Sequence, residues 1–320
     1  MNRTLYFEIC ENIEEFRKLK QLKGKKIKTY EIQLINKISK YKIINKIIKK
    51  VNSFKYAIFI HCNIIKKIES QEKTMYIIFT LKQNNKKILN KLNKKIENEL
   101  NKNPCTKIIL SKKIKQLSEE NFRNSKKNIV QEIIKFYREN KELYFDYMEY
   151  ILNSVIYSQK STPQEQSVYI LVKENKLQYI NKITKIISNY KSINIVTPNI
   201  DNFKKLEAKL EESMEIIAIS NNKRKSLSKA KYIINIDFDE SDILQYNINR
   251  TAVIFNTCNT QIKIKNFDGI IINNINLKSQ EKFNIVDEYI ANKTNGDVIL
   301  NRIKNREYNL LGNNGYITLW

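Results

Sequence analysis

Glycine and proline are both scarce, with five and three among 320 residues. That excludes collagen-like and low-complexity chains, and it leaves little material for long flexible linkers. Histidine occurs once, at His61. The four cysteines (Cys10, Cys62, Cys105 and Cys258) form no CxxC pair. One His–Cys neighbour pair cannot supply a tetrahedral site, so neither a zinc centre nor a disulfide framework is expected, and no metal ligand is assigned. No apolar run approaches the roughly 18 residues of a membrane span. Tyr56–Ile65 is too short for one and fits a buried strand. The beginning, Met1-Asn-Arg-Thr-Leu-Tyr-Phe, lacks the basic-then-apolar order of a signal peptide, so the expected location is cytoplasmic.

Arginine is scarce too. Fifty of the 58 basic residues are Lys, and the formal net charge is +25. Lys, Asn and Ile share AT-rich codons, which accounts for part of this excess without a ligand. Arg is the residue favoured for bidentate phosphate and guanine contacts, and its shortage argues against base-specific reading. An asymmetry survives this discount. Residues 1–160 carry 36 basic and 16 acidic side chains, whereas residues 161–320 carry 22 and 17. No carboxylate lies between Glu31 and Glu69.

What is present is a strand–helix rhythm. Ser167–Val172, Ile193–Val196, Glu215–Ile219, Tyr232–Ile236 and Thr251–Phe255 are short β-branched runs separated by amphipathic stretches. Only a crossover of a dozen or more residues returns a chain parallel to itself, so this pattern predicts βαβ units in a doubly wound, Rossmann-like parallel sheet, ordered 3-2-1-4-5. In the first half, strands are expected at Thr4–Ile9, Phe54–His61, Met75–Leu81 and Lys107–Leu110, with Lys-rich helices at 32–51 and 85–100. The apolar spacing from Ile129 to Val155 predicts one long helix. The expected fold class is therefore α/β with two domains: a Lys-rich α/β domain over 1–125, a connecting helix over 126–160, and the Rossmann-like domain over 161–320. A further strand is expected at Gly269–Ile272, a helix near 280–290, and a C-terminal hairpin turning at Asn314-Gly315 in a type I′ turn.

Open parallel sheets bind ligands beyond the carboxyl ends of their strands. That rule selects Asn175, Thr197, Asn221, Lys223, Arg224 and Asp237 as candidate binding residues. An anionic ligand is expected where they meet, aided by a helix beginning after Arg224, with Asp237 orienting Arg224 or holding a ligand hydroxyl. No catalytic residue is assigned. The first strand is followed by Val172-Lys-Glu-Asn-Lys176, and no glycine stands where backbone amides would have to approach a pyrophosphate. No cofactor is therefore predicted, and NAD(P) remains only as an alternative.

Asp237-Phe-Asp239-Glu-Ser241 resembles the DxDx[T/V] motif of the haloacid dehalogenase phosphatases, which implies a Mg²⁺-assisted phosphoryl site. Helix N-capping by Asp239 or Ser241 explains the same residues and is preferred. Lys229-Ala-Lys-Tyr-Ile-Ile-Asn-Ile-Asp237 and Ala252-Val-Ile-Phe-Asn256 resemble the cofactor domain of glutamyl-tRNA reductase and shikimate dehydrogenase, without its glycine motif; Thr197-Pro-Asn199 falls where those families read the adenosine ribose. The phrases Asn194–Phe203 and Asn221–Ser226 are similar to a group of proteins from AT-rich spore-forming bacteria, a likeness that brings no activity with it. Three functions stay open: a non-catalytic Rossmann-like binding or regulatory module, a nucleic-acid (polyanion) binder using the Lys-rich half, and a degenerate NAD(P)-dependent oxidoreductase.

Overall fold

The computed structural model describes residues 3–10, 58–62, 72–79, 85–121, 128–187, 189–211, 217–278, 281 and 283–317. The chain divides into two compact units, one of residues 1–139 with 279–295 and the other of residues 140–278 with 296–320.

The first unit is built on a four-stranded sheet. Strands β1 (Arg3–Cys10), β2 (Ile58–Cys62) and β3 (Glu72–Phe79) are followed by helix α1 (Asn85–Lys102), strand β4 (Lys107–Leu110) and helices α2 (Lys112–Asn121) and α3 (Ile129–Glu139). The sheet order is β2-β3-β1-β4. β1 runs parallel to β3 and β4, and β2 runs antiparallel to β3. Alternation along β1 sends Leu5, Phe7 and Ile9 into a core shared with Ile88, Leu89, Leu92 and Ile96 of α1. Full burial of such aliphatic side chains contributes about 1.5–3 kcal/mol each, which fixes which face of α1 looks inward. The expected helix at 32–51 and the start of the expected strand at Phe54 lie outside the described residues.

The second unit opens with helices α4 (Glu142–Asp146) and α5 (Met148–Ser158). The single helix expected over 126–160 is thus three helices. Asn140 makes the break: its Oδ1 accepts the amide of Glu142 at 2.8 Å, giving the backbone an acceptor other than the helical carbonyl. A large sheet follows, with β5 (Ser167–Leu171), α6 (Leu177–Ile187), β6 (Ser192–Val196), α7 (Lys204–Glu211), β7 (Ile217–Ser220), β8 (Tyr232–Asn235), α8 (Glu240–Ile243), β9 (Val253–Asn256) and β10 (Ile270–Leu277). Helix α9 (Ile285–Asn292) belongs to the first unit. Helix α10 (Gly296–Lys304) and strands β11 (Tyr308–Gly312) and β12 (Gly315–Ile317) complete the second.

The eight strands lie in the order β12-β11-β10-β9-β8-β5-β6-β7. All six from β5 to β10 are parallel, and the five expected across 167–256 take the order read from the sequence. β11 and β12 add an antiparallel edge. One face of the sheet carries Leu171, Val196, Ile233, Ile254 and Ile271 against Leu227, Phe238, Ile243 and Ile262.

Three expectations change. No helix follows Arg224; residues 223–229 form successive turns. The Lys223 carbonyl, which a helix would need for its own ladder, accepts the amide of Asn247 at 2.7 Å. The tail does form a hairpin, but its loop is Asn313-Asn314, between paired Gly312 and Gly315. Only Gly315 has positive φ there, at 116°, so the turn is not type I′. Finally, residues 279–295 of the domain expected over 161–320 fall in the first unit.

Candidate functional site

The parallel strands β5 to β10 share one carboxyl end, and three arrangements of side chains occupy it. The first lies between β5 and β8, where the strand order reverses and an open sheet leaves its binding crevice. Asp237, two residues beyond β8, turns its carboxylate across this crevice. Its Oδ1 accepts the amide of Lys173 at 2.6 Å and its Oδ2 that of Glu174 at 2.9 Å. Burial raises the Asp237 carboxyl above its usual range, and the two amides oppose that rise. The Lys173 ammonium bonds to Asp242 at 2.5 Å and to Asp239 at 3.4 Å, which binds the same two loops a second time. Its hydrogen bond to Asp242 raises the Lys173 pKa, with burial opposing. Asp239 caps α8: its Oδ1 accepts the amide of Asp242 at 3.0 Å, while Asp242 Oδ2 accepts that of Asp239 at 2.9 Å. In the acidic motif at 237–241, Asp239 is thus a helix cap, while Asp237 holds the turn after β5. The Ser241 hydroxyl hydrogen bond, then the Asp242 amide, hold the Asp239 carboxyl well below the carboxylate range.

The second arrangement is a chain of asparagines. Ile233, Ile254 and Ile271 face the core, so with a period of two Asn235, Asn256 and Asn273 point to the same side one step further on. Asn235 Nδ2 donates to Asn256 Oδ1 at 2.9 Å, Asn256 Nδ2 to Asn273 Oδ1 at 2.8 Å, and Asn273 Nδ2 to Asn313 Oδ1 at 2.6 Å. The run ends with Asn313 Nδ2 donating to the Ile262 carbonyl at 2.9 Å. Asn235 and Asn256 are fully buried. Asn235 also brackets the turn beyond β8, donating to the Phe238 carbonyl at 2.9 Å and accepting the Phe238 amide at 3.0 Å. Side chains that could greet a ligand are thus joined to one another.

Third, Lys141 reaches the end of β9. Its ammonium donates to the carbonyl oxygens of Asn256, at 3.1 Å, and of Cys258. Burial pushes its pKa down to about 8, and the neighbouring Cys258 acts the other way.

The six residues selected from the sequence do not assemble into one site. Asn175 lines a cleft of about 610 Å³ with Lys173, Glu174, Asn199, Asp201, Asn202 and Lys205. Asn221 and Lys223 line a smaller one of about 240 Å³ with Pro198, Phe238, Asp242, Gln245 and Tyr246. The turn Thr197-Pro198-Asn199 stands between them. Thr197 is fully buried, with its Oγ1 accepting the Asn199 amide at 3.2 Å, so it serves the turn. Lys223 donates to Gln245 at 2.6 Å, and Arg224 is exposed and lines neither cleft. Asp237 gives its oxygens to the amides of Lys173 and Glu174 and does not orient Arg224, and it lines neither of these two clefts. The anion-binding convergence expected at these strand ends is absent among the described residues. In the larger cleft Lys173 is committed to Asp239 and Asp242, while Glu174 and Asp201 pair with Lys176 and Lys204.

Asn256 follows the strand run expected at Thr251–Phe255, but sequence reasoning missed Asn235, Asn273 and Asn313, and it missed Lys141. A signal for the first two was present: Ile-x-Asn closes or lies within three strand runs, at 233–235, 254–256 and 271–273. Asn313 enters through the hairpin and Lys141 through a helix break, and neither carries a local mark. No helix among the described residues is long and apolar enough to cross a membrane. Compared with protein-family models, with curated proteins and with solved structures, the chain finds no match.

Proposed function

We propose that the second unit is a Rossmann-like module that binds no dinucleotide and that the chain acts as a non-catalytic binding or regulatory protein. One observation carries this: the carboxylate of Asp237 holds the amides of Lys173 and Glu174. In a dinucleotide-binding fold those amides, freed by glycine, face the pyrophosphate. Here a resident carboxylate takes the position of the pyrophosphate, and a pyrophosphate brought to the same turn would meet a negative charge. The Lys173 bonds to Asp239 and Asp242 reinforce the closure, and the asparagine chain occupies the neighbouring strand ends. A small polar ligand would be left the cleft beside Asn175 and Lys205.

Calorimetry of the full chain with NAD⁺, NADP⁺ and their reduced forms tests the proposal. No saturable heat is expected. A dissociation constant at or below about 10 μM, some 7 kcal/mol of binding, would overturn it.

A further inference from the structure

The chain contains two Asn-Gly pairs, Asn295-Gly296 and Asn314-Gly315. Asparagine before glycine is chemically labile, because a residue without Cβ lets its backbone nitrogen come close to the preceding side-chain carbonyl. By sequence the two pairs are equals, and the fold separates them. Asn295 Nδ2 donates to a carboxylate oxygen of Glu288 at 2.8 Å, a charge-assisted bond that fixes the side chain. Asn314 stands exposed at the tip of the β11–β12 hairpin and makes no side-chain hydrogen bond among the described residues. Its neighbour Asn313 is tied at both ends, accepting from Asn273 and donating to the Ile262 carbonyl. Gly315 has φ of 116°, and a Cβ placed there would meet no atom within 4 Å, so nothing crowds its amide from that side.

We infer that Asn314 is a site of spontaneous deamidation, a covalent modification that turns the hairpin tip into isoaspartate and loosens β12 from the sheet edge. Gly315 is paired with Gly312 in the closed hairpin, so the reaction starts from a locally opened tip, which exposed edge residues reach at low cost. The Gly315 nitrogen gives its proton to hydroxide and attacks Asn314 Cγ. A carbon–nitrogen bond forms, closing a five-membered imide, and Nδ2 leaves as ammonia with a proton taken from water, which restores the hydroxide. Water then opens the imide. Cleavage between Gly315 nitrogen and the former side-chain carbonyl gives aspartate; cleavage between that nitrogen and the main-chain carbonyl gives isoaspartate, with the backbone rerouted through the old side chain. The rerouted chain puts one more carbon and a negative charge into a two-residue loop. Loop length sets the register that pairs Leu311 with Tyr316 and Leu310 with Ile317. β12 lies at the edge, with β11 as its neighbour in the sheet, so loss of that register frees it.

The full chain, aged at mildly alkaline pH, digested and followed by mass spectrometry, supplies the test. The peptide carrying Asn314 is expected to gain one mass unit and to separate into aspartate and isoaspartate forms. Its rate is expected to exceed that of the Asn295 peptide by at least about tenfold, because Asn295 must first give up its bond to the Glu288 carboxylate. In urea the two rates are expected to converge, since both are then plain Asn-Gly. Hydrogen exchange over 315–317 is expected to quicken in the aged parent and to stay unchanged in aged Asn314→Gln, whose longer side chain would have to close a less favourable six-membered ring. Equal rates for the two peptides in the folded chain would overturn the inference, as would reaction at Asn314 in urea alone. So would exchange in β12 that ignores deamidation of the parent, or that quickens equally in Asn314→Gln.

Discussion

The backbone amide of Lys173 donates to Asp237 Oδ1 at 2.6 Å across 64 residues of sequence, joining the turn after one strand to the turn after its neighbour at the point where the strand order reverses. The contact has an energetic and a functional side. Asp237→Ala strands two amides that lose their acceptor, at a cost of about 1–3 kcal/mol. Urea unfolding is expected to show this loss, and formate, a carboxylate small enough for the vacated space, is expected to restore part of it. A variant as stable as the parent, or one indifferent to formate relative to chloride at equal ionic strength, would show that the carboxylate does not hold the turn.

Lys141 predicts a pH dependence of stability. Its folded pKa of about 8 lies below the ordinary lysine value of 10.5. Between those values the unfolded chain binds more protons at this position than the folded one, so stability rises with pH from about 8 to about 10.5 and is flat in this contribution below 8. The gain is at most about 3 kcal/mol, at about 1.4 kcal/mol per pH unit, because the two carbonyl contacts favour the ammonium. Lys141→Met is expected to remove this rise and to leave the protein no less stable near pH 7.5, since an apolar side chain of similar length needs no desolvation of charge. Denaturant midpoints of both proteins at three pH values decide it.

Asn256 accepts from Asn235 and donates to Asn273, so its removal leaves partners on both sides short of a bond. Asn256→Leu is expected to destabilise by about 2–4 kcal/mol from lost hydrogen bonds and overpacking. Combined with Asn235→Leu the cost is expected to be less than additive by about 0.5–3 kcal/mol, because the second change loses a bond already broken. Strict additivity in a double-mutant cycle would mean that the asparagines act independently.

Gly269 leads into β10 beneath the carbonyl of Ala252, which accepts the Ile270 amide at 3.0 Å. A Cβ at Gly269 would lie 2.1 Å from that oxygen. Because the obstacle is backbone, it cannot swing away as a side chain would. Gly269→Ala is expected to cost at least about 1–3 kcal/mol in unfolding experiments, whereas Gly296→Ala, whose nearest neighbour is the Tyr147 hydroxyl at 3.3 Å, is expected to cost less. Equal effects would refute the steric account.

The parallel strands of the second unit and their order were legible in the residue pattern alone. Short β-branched runs separated by crossovers leave few ways to hydrogen-bond a sheet, and local periodicity encodes them. The sequence also shows that the turn after β5 lacks the glycines of a phosphate loop. What fills that turn depends on long-range packing, since Lys173 and Asp237 meet through strand pairing and nothing near either residue announces the other. The same holds for the unbuilt anion site. Asn175, Thr197, Asn221, Lys223, Arg224 and Asp237 all lie at strand ends as expected, but side-chain direction, a turn at Pro198 and the withdrawal of the Lys223 carbonyl from a helix keep them apart. The helix break at Asn140 followed the same logic, a side-chain oxygen competing locally with a ladder that periodicity alone would have continued.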